Sequence, residues 1–110
     1  MGKAGLLGEL EQLLLLGILR LDGRAYAVPI LEEVQSKTGL ELSRGSVYVT
    51  LDRLEQKGYL ESWFAEPTPE RGGKAKRFFR LTPLGADALR RSRQVLTSMW
   101  EGQDPVLEEL

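Results

Sequence analysis

Apolar residues recur along this chain at helical spacing in four places and at strand spacing in two, with turn chemistry between them. Leu6, Leu7, Leu10, Leu13, Leu14 and the Ile18-Leu19 pair are spaced for a strongly apolar first helix, buried on most sides. It ends before Asp22-Gly23, a turn signal. A second helix is predicted from near Tyr26 to Lys37, with Ile30, Leu31 and Val34 inward and Glu32 and Glu33 outward. Pro29 is compatible only with its first turn, and Gly39 stands just beyond its end as a left-handed cap. The short run from Gly39 to Ser43 leaves a tight connection to a third helix. There Val47, Leu51 and Leu54, at i, i+4 and i+7, form one buried stripe. The other faces of this helix hold Ser46, Val49, Thr50, Arg53 and Gln56, and Gly58 closes it.

Beyond Gly58 the period shortens to two. Leu60, Ser62 and Phe64 alternate with Glu61, Trp63 and Ala65, and later Phe79 and Leu81 alternate with Phe78 and Arg80. Between these strands lies Pro67-Thr-Pro-Glu-Arg-Gly-Gly-Lys74, a hairpin turn with proline at one end and glycine at the other. Thr82-Pro83 then supplies an N-cap and a first-turn proline for a fourth helix reaching about Trp100. On it Leu84, Ala88, Leu89, Ser92, Val95, Leu96, Met99 and Trp100 fall within an arc of about 160° at roughly 100° per residue. That arc is wider than one small domain covers, so part of it is expected to face a second copy. The fold class that follows is mainly α with a small β-hairpin: a winged helix-turn-helix over residues 1–82, then a C-terminal dimerisation helix and acidic tail over 83–110.

With 110 residues the chain fits a single core. It has no cysteine, which suits a reducing cytoplasm, and no secretory leader or membrane-length apolar run is evident, so a cytoplasmic location with no membrane partner is expected. The net charge of −1 hides an uneven distribution. Arg71, Lys74, Lys76, Arg77, Arg80, Arg90, Arg91 and Arg93 share residues 71–100 with a lone acid, Asp87, while the segments on either side are acidic. Local positive charge, rather than the sum, is what meets phosphate.

A helix entering the major groove needs small or polar side chains near its N-terminus. Ser43, Arg44, Ser46, Tyr48, Thr50 and Arg53 meet that need on the third helix, and Arg71, Lys74, Lys76 and Arg77 place cations on the hairpin. These ten are the candidate contacts to double-stranded DNA. Ser43 also reads as a helix cap, Tyr48 as a flank of the core, and the hairpin cations as an ordinary solvated loop. The rival is a winged-helix protein-interaction module without DNA binding, presenting Tyr59, Trp63 and Phe64 to a protein partner. Enzymatic chemistry has little footing: no histidine or cysteine is present, so the usual general base, thiol nucleophile and softer metal ligands are missing. No phosphate-cradling glycine motif occurs. No catalytic residue, metal or cofactor is expected.

The wording of several segments is more specific than their periodicity. Ser43-Arg-Gly-Ser-Val-Tyr48, Leu51-Asp-Arg-Leu-Glu55, Gly58-Tyr-Leu60 and Arg77-Phe-Phe-Arg-Leu-Thr-Pro-Leu-Gly85 together resemble the PadR family of bacterial transcriptional regulators, over nearly the whole chain. The resemblance implies a homodimeric repressor that binds an inverted-repeat operator. The third helix would enter the major groove, the wing would contact the flanking backbone, and the C-terminal helix would form the dimer through Leu89, Ser92, Val95, Leu96, Met99 and Trp100. The length is similar to that of the short branch, some members of which bind flat aromatic compounds between the C-terminal helices through tryptophan. That implies a small aromatic effector at Trp100; simple packing in the interface is the other reading of that residue. Val49 stands where the family commonly has proline, and Leu84 where it commonly has glutamate.

Overall fold

The helices form where the apolar spacing places them, and capping chemistry sets their ends. In a computed structural model of the chain, residues 6–65 and 75–110 are described. The order of elements is α1 (Glu9–Arg20), β1 (Arg24–Tyr26), α2 (Ala27–Thr38), α3 (Arg44–Gln56), β2 (Leu60–Phe64), β3 (Arg77–Leu81), α4 (Pro83–Trp100) and α5 (Asp104–Glu108). α2 stops at Gly39, whose φ of 77° is left-handed. Ser43 Oγ accepts the Ser46 N–H at 3.0 Å to start α3, and Thr82 Oγ1 accepts the Gly85 N–H at 3.0 Å to start α4. Each such cap is worth about 1 kcal/mol.

One core joins the elements: Leu14, Leu15 and Ile18 of α1, Ile30 and Val34 of α2, Val47, Leu51 and Leu54 of α3, and Leu60 and Phe79 of the strands. Two expectations are corrected here. Thr50, read as outward and as a DNA contact, is only 6% exposed. It sits at i+3 from Val47, which widens the apolar stripe of α3 by one polar-looking position. α1 is not buried on most sides: Leu14, Leu15 and Ile18 point inward, while Leu16 and Leu19 are exposed.

The hairpin gains a third strand that the alternation does not announce. β1 pairs antiparallel with β3, giving the order β1-β3-β2. Ala25 and Ser62 flank Phe79 across the sheet, and Tyr26 and Trp63 flank Phe78. Alternation sends Leu60 and Phe79 to the core and gathers Tyr26, Phe78 and Trp63 into an aromatic row on the other face, with ring centroids 5.5 and 5.9 Å apart.

α4 divides its wide apolar arc. Gly85, Ala88 and Ser92 face the chain's own body, and Ser92 Oγ accepts the Leu7 N–H at 3.0 Å. Ser92 is thus a contact within the protomer, and its assignment to the dimer face is corrected. Leu96, Met99 and Trp100 are exposed. The segment read from sequence as an acidic tail contains the short helix α5. The radius of gyration is 16.3 Å, against about 13 Å for a compact chain of this length, as an arm formed by distal α4 and α5 requires. Among the described residues, no helix is long and apolar enough to cross a membrane.

An ion pair, buried on its Glu11 side and open on its Lys57 side, fastens α1 to the end of α3. Glu11 accepts the Gly8 N–H at 2.8 Å and the Lys57 ammonium at 2.7 Å. Burial pushes its carboxyl up, but the hydrogen bonds from Lys57 and Gly8, with the charges of Lys57 and Arg53, outweigh burial and hold it below the ordinary glutamate range. A carboxylate depressed in the folded state adds stability above its unfolded pKa, and that stability disappears as pH falls through the folded value. Denaturant titrations between about pH 5 and about pH 3 are therefore expected to show a steeper loss for the wild type than for Glu11→Gln. Parallel curves would remove this carboxylate from the explanation.

Candidate nucleic-acid interface

The face of α3 opposite the core is open from its first turn onward. Arg44, Gly45, Ser46, Tyr48, Val49 and Arg53 are all exposed. At the helix start the Ser43 hydroxyl donates to Ser46 Oγ at 2.9 Å, so two short hydroxyl side chains and Gly45 leave the end of the helix free for close approach by a phosphate or base edge. Arg44 stands beside them, and Tyr48 lies about one turn further along. Val49, in place of a proline, keeps its backbone N–H inside the helix and adds an apolar branch to this face.

β3 brings the base of the hairpin to the same side. The Ala65 N–H donates to the Lys76 carbonyl at 2.8 Å, extending the strand pairing past the end of β2. A groove of about 430 Å³ joins the two elements, lined by Tyr26, Val28, Tyr48, Phe64, Lys76 and Arg77 among others. Tyr48 and Lys76, chosen from separate parts of the sequence, thus share one groove. The Lys76 ammonium sits 4.7 Å from the centre of the Tyr26 ring, which holds it at the groove edge. Tyr26, Val28 and Phe64 were not among the candidate DNA contacts, Phe64 having been named only for the protein-binding alternative. Phe64 could have been found, since it is a strand-end aromatic next to the turn, and it is 68% exposed. Arg71 and Lys74 lie outside the described residues.

Arg77 differs from the expectation. Its guanidinium donates to Asp52 Oδ1 at 2.9 Å, to Glu55 and to Ser62 Oγ at 3.2 Å, and it lies 4.7 Å from the Phe79 ring centre. Ser62 in turn donates to Glu55 Oε2 at 2.7 Å. These bonds engage the guanidinium in bracing β3 against α3, a role that its reading from sequence as a phosphate contact did not include. The two acids it meets lie on the outer side of α3, where unpaired they would repel a phosphate backbone.

The residues of the protein-module alternative do not form one surface. Tyr59 packs against the core, and Trp63 stacks on Phe78 with the Arg80 guanidinium 5.7 Å from its ring centre. Phe64 alone of the three is strongly exposed.

Residues 15–91 match the sequence profile of the Transcriptional regulator PadR-like family. No curated protein sequence matches the chain. Among solved structures, it is similar to a PadR family transcription regulator from Clostridium difficile, with 23% identity over 88% of this chain and 97% of that one and a TM-score of 0.71. It is also similar to a PadR family transcriptional regulator from Eggerthella lenta, with 24% identity, 91% and 87% coverage and a TM-score of 0.70. F93 from STIV, a winged-helix DNA-binding protein, matches at 15% identity over 83% and 90% of the two chains, with a TM-score of 0.66. The profile match spans well over half of the chain, so the chain belongs to the PadR-like family, whose members are transcriptional regulators rather than enzymes, and it has the winged-helix fold of the solved structures.

Proposed function

We propose that the chain represses transcription as a homodimer on an inverted-repeat operator. Each subunit places α3 in a major groove, the two about one helical turn apart, and lays its hairpin on the flanking backbone. The observation that carries this reading is the groove holding Tyr48 of α3 and Lys76 beside β3 on one side of the molecule. Ser43, Arg44, Ser46, Tyr48, Arg53 and Lys76 are the proposed contacts among the described residues, with Arg71 and Lys74 added from the sequence. The dimer is supported by the exposed Leu96, Met99 and Trp100 on α4, with the half-buried Leu89 and Val95 at its margin. A planar aromatic effector between the paired α4 helices, stacked on Trp100, would alter the separation of the two α3 helices and so weaken binding. Effector titration into a Trp100→Phe variant tests this, since operator release that persists unchanged there would exclude stacking on that indole.

A mobility-shift titration on DNA from upstream of the gene, repeated at rising salt, tests the interface. Arg44→Ala and Lys76→Ala are each expected to weaken binding and to flatten the dependence of log affinity on log salt by about one unit per lost phosphate contact in each half-site. Arg77→Ala is expected to leave that slope nearly unchanged while costing about 1 kcal/mol of stability, since its ion pairs are partly solvated. Unaltered slopes for both Arg44→Ala and Lys76→Ala would show that DNA lies elsewhere.

A further inference from the structure

We propose that α5 is a docking segment that seats in the groove between α1 and α2 of a second copy, fastening each end of the dimer. The inference rests on the reading of α4 as the surface joining two copies. α5 has no buried residue; Val106 and Leu107 are about half exposed and Leu110 is fully open. So short a helix is not stable in water by itself, and its apolar side gains most from being covered. The segment from Glu101 onward also carries Asp104, Glu108 and Glu109 and no cation.

A groove of the opposite character lies across the molecule. Between α1 and α2 a trough of about 410 Å³ has Leu13, Leu16, Leu19 and Val34 along its floor and Arg20 and Lys37 at its rim. Arg20 is shared with Glu33 at 2.7 Å, so Lys37 is the cation left to meet an incoming carboxylate. Leu16 also lines the adjoining groove of about 280 Å³ between α1 and α4, together with Leu96, Trp100 and the cations Arg90 and Arg93. The two grooves thus meet at Leu16, one between α1 and α2 and the other between α1 and α4, with Arg20, Lys37, Arg90 and Arg93 and the acid Glu33 among their linings.

Reach and order fit. When Leu96 and Trp100 of a second copy occupy the groove beside α4, the chain that follows turns at residues 101–103 and enters α5. Neighbouring grooves on packed helices are about 10 Å apart, and the residues between Trp100 and Leu107 span that distance with length to spare. Val106 and Leu107 then lie on Leu16 and Leu19, and the acids face Lys37 and Arg93, since Arg20 and Arg90 are paired with Glu33 and Asp87. Nucleic acid is a poor occupant, because the floor is apolar and the segment is acidic.

Because the chain contains no cysteine, single thiols can be placed at the contact alone. Two full-length variants, Leu19→Cys and Leu107→Cys, carrying tags of different size, are mixed and oxidised; a mixed-size cross-link is expected. Val49→Cys with Leu107→Cys, probing the exposed face of α3 away from both grooves, is expected to give none. In parallel, Leu107→Glu is expected to raise the dimer dissociation constant about tenfold with the protomer's thermal midpoint unchanged. No mixed cross-link from a chain that sedimentation shows to be dimeric overturns the docking and leaves the dimer standing. So does a bond formed only within one chain of the Leu19→Cys, Leu107→Cys double variant, or an unaltered dissociation constant. A wild-type chain that sediments as a monomer overturns both.

Discussion

Leu96→Glu is expected to sediment as a monomer at micromolar concentration and to bind operator DNA about two to four orders of magnitude more weakly than the wild type. The magnitude follows from linkage: a dimer presents its second α3 to the second half-site at an effective concentration in the millimolar range, and a monomer must bind each half-site unaided. Leu96 is 51% exposed in the protomer, so glutamate there costs the isolated fold little. In a two-fold interface the same residue recurs from both sides, so two carboxylates would replace apolar contacts and be desolvated near one another, at a cost of several kcal/mol. Circular dichroism should show an unaltered protomer, and mobility shift should show weak, strongly salt-dependent binding. A Leu96→Glu chain that remains dimeric would place the interface on another surface.

Gly85→Ala is expected to be the most damaging single methyl in the chain, lowering stability by about 2–4 kcal/mol. A Cβ at this position would stand 2.3 Å from the Tyr59 carbonyl oxygen and 2.9 Å from Leu81 Cδ1. The leucine tip can move; the carbonyl cannot, because it accepts the Thr82 N–H at 3.1 Å while Thr82 Oγ1 donates to the Gly58 carbonyl at 2.7 Å. These bonds tie the end of α3, the start of β2 and the start of α4 at one point, so displacing α4 breaks its cap as well. Gly45→Ala is the contrasting control. Nothing lies within 4 Å of a Cβ there, and alanine favours the helix by about 0.5–1 kcal/mol. Thermal melts of the two variants should therefore move in opposite directions. Equal melts would mean that the approach of α4 to Tyr59 does not constrain the fold.

Much of the fold was legible because the signals were local. Ser43, Gly39, Gly58 and Thr82-Pro83 mark helix ends through chemistry within a few residues of themselves, and α4 runs from Pro83 to Trp100 as the cap and the apolar arc foretold. β1 was not legible. Three residues, Arg24-Ala-Tyr26, hold no alternation to detect, and they become a strand only because β3 offers a free edge more than fifty residues later. Thr50 and Ser92 failed for a related reason. Each is a small polar residue at a helical offset from the core, Thr50 at i+3 from Val47 and Ser92 at i+4 from Ala88, and a hydroxyl can be buried once a backbone packs over it or donates to it. On the candidate interface the exposed face of α3 was legible from its period, Thr50 excepted. The bracing role of Arg77 was not, because a basic residue beside a basic turn reads as a phosphate contact until Asp52 and Glu55 are seen across from it.

That triad of Arg77, Asp52 and Glu55 has a consequence for how new specificities arise in such proteins. With β3 braced to α3 by these pairs, the sequence between Ala65 and Lys76 becomes an interchangeable cartridge. Grafting a foreign tip there should retune the preference for flanking sequence while the bases favoured by the helix stay as they were, so the two halves of the binding code can diversify separately.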